Sequence, residues 1–145
     1  MTSSIKGICN KYKFDIKEYE LLEKINQGGF AIIYLVQNKT TGEQFAAKIN
    51  LADSSISTDR QRQFISREIG ILIRVQHSTI IRFRGFSFTD FENNKNITIL
   101  MDYMKNGSLS AIIEKEQLGL CPQDYDNTKR QIILIGISFG MMILH

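Results

Sequence analysis

The sequence predicts an α+β fold built on an antiparallel sheet. Three observations lead there: the order of elements, a glycine-bearing turn that makes a hairpin of two strand-like runs, and one helix with clear apolar periodicity set between strands. The first strand is expected at 19–25, leading into Gln27-Gly28-Gly29. A second, rich in Ile, Tyr and Val, covers 31–37, and a third covers 44–49. Between these two lies Lys39-Thr40-Thr41-Gly42-Glu43, a polar turn with a glycine. A Ser-rich loop, 53–59, precedes a helix over about 60–75, where Ile65, Ile69, Leu72 and Ile73 recur at helical spacing. Two more strand-like runs follow at 80–88 and 97–103, separated by the polar stretch 89–96. The chain then changes character. A short helix is expected over 108–115, a loop with Pro122 over 119–124, and a long, strongly apolar helix over 126–145.

Composition sets the class. The chain has 145 residues, 43% hydrophobic and 23% charged with a single proline, which suits a globular domain and excludes long disordered or collagen-like segments. The net charge is only +3, with basic and acidic residues interspersed. Nucleic-acid binding needs a clustered stripe, and the short Arg60, Arg62, Arg67 series reads as a solvated helix face. Cys9 and Cys121 stand far apart and suggest no disulfide framework. The first residues lack the apolar centre of a signal peptide. The apolar run 132–144 is too short to span a bilayer, which takes about 18 residues or more, and reads better as a buried helix. An intracellular, cytoplasmic location with no membrane contact is therefore expected.

Three features carry chemistry. In Ile25-Asn26-Gln27-Gly28-Gly29-Phe30-Ala31-Ile32-Ile33-Tyr34, a glycine hairpin turn lets backbone N–H groups approach phosphate oxygens with no Cβ in the way. A glycine pair between strands is also simply a turn. Lys48 ends the apolar run Phe45-Ala46-Ala47, and burying an ammonium calls for a partner. The plain alternative is an edge strand with its lysine tip in water. Glu68 shares the stripe of Ile65 and Leu72, where an acid is equally out of place unless it reaches solvent. A Lys48–Glu68 pair would resolve both oddities and aim the lysine at a phosphate.

Glycine hairpin, strand lysine and helix glutamate, at separations of twenty residues each, resemble the N-terminal lobe of the protein kinase family. Further blocks extend the resemblance: Arg67-Glu68-Ile69-Gly70-Ile71-Leu72 with His77 to Phe86, then Ile99 to Met104 with Asn106-Gly107-Ser108-Leu109, and finally Gly136 to His145. It runs from about Tyr19 to His145. It implies a five-stranded antiparallel sheet with one long helix over 19–103, a leader over 1–18, and over 104–145 the hinge exit and first two helices of an incomplete helical lobe. The Gly107-Ser108-Leu109 and 82–87 blocks look most like the tyrosine kinase-like group, which mostly modifies Ser and Thr.

The same resemblance implies roles. Ile25, Ile33 and Ala46 would line the adenine slot of ATP, with Met101 as gatekeeper. The Asp102 carbonyl and the Met104 N–H would bond the adenine edge, and Ser108 would approach the ribose. Residues 26–31 (Asn26, Gln27, Gly28, Gly29, Phe30 and Ala31) would cover the phosphates, Lys48 would hold them, and Glu68 would hold Lys48. Asn26 and Ala31 stand where the family's first and third glycines usually sit, which predicts weakened ATP binding. The catalytic Asp and the magnesium ligands of the family lie further along than His145. No metal ligand is therefore expected here, Mg2+ is expected only with a complete domain, and the 145-residue chain alone is expected to be inactive. The protein substrate stays unassigned. The alternative is a non-catalytic nucleotide-binding or interaction fragment that regulates another kinase. The apolar helix, with no lobe to enter, would make the chain poorly soluble or self-associating through 132–144.

Overall fold

The computed structural model of the chain describes residues 10–51, 58–120 and 125–144, without the side chains at 58, 59, 61 and 62. The first nine residues of the expected leader, Cys9, Cys121, Pro122, His145, most of the 53–59 loop and the Arg62 side chain lie outside the described residues. Two compact units are present: residues 1–76 with 81–103, and residues 77–80 with 104–145.

The first unit is a five-stranded sheet and one long helix. The strands are β1 (Tyr19–Gln27), β2 (Ala31–Asn38), β3 (Gln44–Asn50), β4 (Phe83–Ser87) and β5 (Thr98–Asp102), in spatial order β1-β2-β3-β5-β4. Every neighbouring pair is antiparallel. The β2–β3 hairpin closes where expected. Asn38 Oδ1 accepts the amides of Thr40 and Thr41, and Gly42 supplies the left-handed residue at φ 72°. Helix α1 (Thr58–Arg74) lies between β3 and β4 in sequence and packs through Ile65 and Ile69 against Phe83, Phe86, Ile97 and Ile99. Val36, Phe45, Ala47 and Leu100 form a second core cluster, joined by Phe14, Tyr19, Tyr34 and Phe91. Ile99 and Leu100, consecutive on β5, belong to different clusters, as side chains alternating across a strand require.

In this unit, two findings differ from the expectations. The run 80–88 is strand only over Phe83–Ser87. Ile80 closes a turn, its amide donating to the His77 carbonyl, and Ile81 and Arg82 are exposed. Residues 12–14, part of the expected leader, cover the outer edge of β4. The Phe86 amide donates to the Tyr12 carbonyl (2.9 Å) and the Phe14 amide to the Phe86 carbonyl (3.1 Å). An edge strand's open backbone groups are satisfied in this way. Gly85 permits it, because a Cβ there would stand 2.6 Å from the Tyr12 carbonyl oxygen.

The second unit holds α2 (Leu109–Gln117) and α3 (Asn127–Leu144), linked by an Arg130–Glu116 ion pair. Ser108 is the N-cap of α2, its Oγ accepting the Ala111 amide. Asp126 accepts the Lys129 amide at the start of α3. Buried Gly140 lies against Thr79 and Ile80. The expectation of a buried helix over 132–144 is corrected: Gly140 is the sole buried residue of α3, and its apolar side chains are largely exposed. The helix is apolar around most of its girth, and among the described residues its unit holds no second layer wide enough to cover it.

Candidate functional site

The site is assembled on β3. Ala46 and Lys48, two apart, point to the same side of the sheet. Lys48 stands opposite Ile33 on β2 and Ile99 on β5, and Ala46 stands opposite Leu35 and Met101. Register thus brings Ile33, Ala46, Lys48 and Met101 onto one face. Ala46 is buried, and Met101 is half-buried against the helix-side core. That face also receives α1. One turn along from Ile65, Glu68 reaches back to the sheet and accepts a hydrogen bond from Lys48 Nζ at 2.6 Å. Both side chains stay partly open to solvent, at 29% and 38%. The oddity of each residue in sequence is the other's solution. Neither is deeply buried, which avoids most of the desolvation cost of an interior ion pair.

The glycine turn closes the β1–β2 end of this face. The Gly28 amide donates to the Ala31 carbonyl at 2.9 Å, and the Phe30 carbonyl accepts the Leu51 amide at 2.9 Å, tying the tip to the end of β3. Gly29 has no heavy atom within 4 Å of where a Cβ would stand, and its N–H has no partner among the described residues. A hollow of about 300 Å3 is lined by residues 26–31 and Ile33. Neither Gly28 nor Gly29 adopts a positive φ. What they provide is openness, since side chains at the turn would narrow this hollow. Asn26 turns its side chain onto the backbone, Oδ1 accepting the Gln27 amide at 2.7 Å. Phe30 projects outward, 76% exposed. Ile25 is exposed at the β-bulge between Lys24 and Asn26.

The Gly29 amide, unpaired among the described residues, a glycine pair without side chains and an oriented ammonium are donors of the kind that suits a polyphosphate. Beside them, Ile33, Ala46 and Met101 offer an apolar face suited to a flat ring. These are the kinds of groups that a nucleoside triphosphate would need, and the hollow at the turn itself is lined by residues 26–31 and Ile33. Among the described residues, no three His, Cys, Asp or Glu side chains gather as a metal site would require.

Asp102 ends β5, and its carboxylate is engaged by Arg84 Nε, whose guanidinium also lies over the Phe45 ring. The sequence offered only weak signals for this pair, because Arg84 sits at a register shift in β4 that strict alternation does not anticipate. Met104 and Ser108 belong to the second unit. The Met104 carbonyl accepts the Gly107 amide, Gly107 takes φ 77°, and Ser108 caps α2. The capping role of Ser108 was readable from a Ser preceding an apolar helix.

A polar network outside the site was also missed. Asp90, 5% exposed between β4 and β5, accepts the amides of Glu92 and Asn94 and the side-chain N–H groups of Asn94 and Asn96. Burial alone would raise its carboxyl pKa. The hydrogen bonds from Asn96 and Asn94 outweigh that and hold it below its ordinary 3.8.

A family model described as the protein kinase domain matches residues 19–145. Among curated relatives, the serine/threonine-protein kinase RIM15 of Saccharomyces cerevisiae is 24% identical over 85% of this chain and 7% of its own length. The probable serine/threonine protein kinase IRE4 of Arabidopsis thaliana is 30% identical over 78% of this chain and 10% of its own. The serine/threonine-protein kinase Nek1 of Mus musculus is 30% identical over 75% and 9%. The chain thus spans a tenth or less of the length of these relatives. No helix among the described residues is long and apolar enough to cross a membrane.

Proposed function

This chain belongs to the protein kinase family, and we propose that its sheet-bearing unit binds ATP and that the complete protein passes the γ-phosphoryl group to Ser or Thr hydroxyls of a protein substrate. The observation that carries the ATP reading is the 2.6 Å Lys48–Glu68 contact on the face shared by Ile33, Ala46 and Met101. Glu68 orients the lysine, Lys48 places its charge beside the open glycine turn, and the apolar face excludes water from the base. The family's reaction is mostly positioning and charge neutralisation, so these residues supply its nucleotide half. Preference for Ser and Thr is supported by the names of the relatives and by the likeness of the Gly107-Ser108-Leu109 block to the tyrosine kinase-like group.

A fluorescent ATP analogue titrated into the chain tests the reading. Saturable binding is expected, weakened roughly tenfold or more by Lys48→Met, as the loss of a charge-assisted contact implies. Asn26→Gly combined with Ala31→Gly should tighten it. Unchanged affinity in Lys48→Met would overturn the assignment and favour a domain that keeps the fold for protein contacts alone. Nucleotide binding without phosphate transfer is the pattern expected of the 145-residue chain tested by itself.

A further inference from the structure

Arg84 occupies a position in β4 that regular strand geometry would not give it. Phe83 stands opposite Met101 and Gly85 opposite Leu100, so Arg84 is the extra residue of a bulge. A bulge re-aims the side chain it carries. Arg84 is aimed at the end of β5: its Nε donates to the Asp102 carboxylate. Its guanidinium also lies 5.7 Å from the centre of the Phe45 ring. One side chain thereby ties β4, which carries it, to β5 through Asp102 and to β3 through Phe45. Asp102 is held by its backbone too, its amide donating to the Arg82 carbonyl at 3.0 Å. The nucleotide reading gives this anchor no part so far.

Asp102 directly follows Met101 and stands opposite Phe45, next to the Ala46–Met101 pair of the apolar face. Side chains alternate along a strand, so the Asp102 carboxylate lies on the face opposite the one that Ala46 and Met101 share. The Arg84–Asp102 pair therefore does not touch a ring seated on Ala46 and Met101, and it acts on such a ring only through the backbone. Inside the β3–β5 ladder, backbone N–H and C=O groups serve one another. The ladder ends at the Phe45–Asp102 pair, and beyond that point backbone groups can turn to the polar edge of a ring. We propose, resting on the ATP reading above, that Arg84 is a positioning residue for the base of the nucleotide: by fixing Asp102, it holds the end of β5 where the backbone meets the purine edge. Arg84 has no part in holding the phosphates, which fall to Lys48 and the glycine turn. The bulge in β4 is then a device that aims one guanidinium. Arginine suits this place, because a planar guanidinium can stack on an aromatic ring and bond a carboxylate at once.

The experiment is competition against a fluorescent ATP analogue on the full chain, with ATP, adenosine and inorganic tripolyphosphate as competitors. Arg84→Ala should weaken ATP and adenosine by the same factor, about three- to tenfold, the worth of one hydrogen bond, and leave tripolyphosphate unchanged. Lys48→Met should do the reverse, weakening ATP and tripolyphosphate and sparing adenosine. Equal weakening of all three ligands by Arg84→Ala would mean that the substitution only loosens the sheet, and overturns the proposal. Wild-type affinity for adenosine in that variant overturns it too, while leaving the ATP reading intact. A wild-type chain that binds neither ATP nor adenosine overturns the ATP reading and this proposal with it. Should Arg84→Ala fail to fold, the Arg84 Nε–H resonance of the wild-type chain decides. A shift on adding adenosine but not tripolyphosphate supports the proposal. No shift with adenosine, or an equal shift with both, overturns it.

Discussion

Strand β5 and helix α3 are both strongly apolar, yet they end in opposite environments. Ile99 and Leu100 on β5 are 0% and 2% exposed, one in each core cluster. On α3, Ile132, Leu134 and Ile135 are 61%, 63% and 56% exposed. The difference is architectural. The middle of a strand between two others, with helix packing on one face and aromatic side chains on the other, has nowhere to expose a side chain. A helix apolar around its girth needs neighbours on all sides, and the short α2 and residues 77–80 cannot surround it. Apolar sequence is therefore a demand for burial, and only a second layer meets that demand.

The comparison is broken most directly by paired truncations. Ile99→Ala should cost about 2–5 kcal/mol in urea unfolding, from lost transfer energy plus a cavity. Ile135→Ala should change stability by no more than about 0.5 kcal/mol. Equal losses would mean that α3 is packed after all. Exposed as it is, α3 should drive association, so Ile132→Lys with Ile135→Lys should shift the sedimentation profile toward monomer. A wild-type chain that sediments as a monodisperse monomer would remove that expectation.

Two glycines sharpen the same point inside the sheet-bearing unit. Gly85→Ala forces a methyl within 2.6 Å of a backbone oxygen that cannot yield cheaply. It should cost about 1–3 kcal/mol and release residues 12–14 from the β4 edge, visible as faster amide exchange at Phe14 and Phe86. Gly70→Ala on α1 meets nothing within 4 Å and should stabilise by about 0.5–1 kcal/mol through helix propensity. This contrast also marks how far the sequence could be read. Strand order along the chain, α1, the hairpin turn and the Lys48–Glu68 pair were legible, because each rests on local periodicity or on two residues whose oddities cancel. The edge contact of Tyr12 with Gly85 was not. It joins residues more than seventy apart, and neither carries a pattern that names the other. The run 132–144 carried two readings, a buried helix and a helix with no lobe to enter, because an apolar run states what a helix needs, not what its unit contains.

Asp90 tests polar burial on the scale of single hydrogen bonds. Asp90→Ala leaves the amides of Glu92 and Asn94 and the Asn96 side chain without their acceptor, at a cost of about 1–3 kcal/mol. Its pH dependence has a definite sign. The folded carboxyl titrates below the unfolded value, so its contribution is fully present above 3.8 and is lost as pH falls through the lower folded value. Comparing acid unfolding of the wild type with that of Asp90→Asn should show a smaller loss in the variant over that window. Identical acid profiles would mean that the carboxylate contributes no more than an amide of the same shape.

A small stability effect is also expected at Lys48, for a different reason. The Lys48–Glu68 contact is short, but both side chains are about a third exposed, and solvent screens most of its Coulomb energy. Lys48→Met should therefore change unfolding stability by less than about 1 kcal/mol. In the same variant, the stabilisation that saturating ATP gives the wild type should largely disappear. A structural ion pair would show the reverse: a large loss without ligand and little change in the ligand's effect. The two measurements on one variant separate a contact that holds α1 to β3 from one that holds Lys48 ready for a phosphate, and the pair's exposure predicts the second.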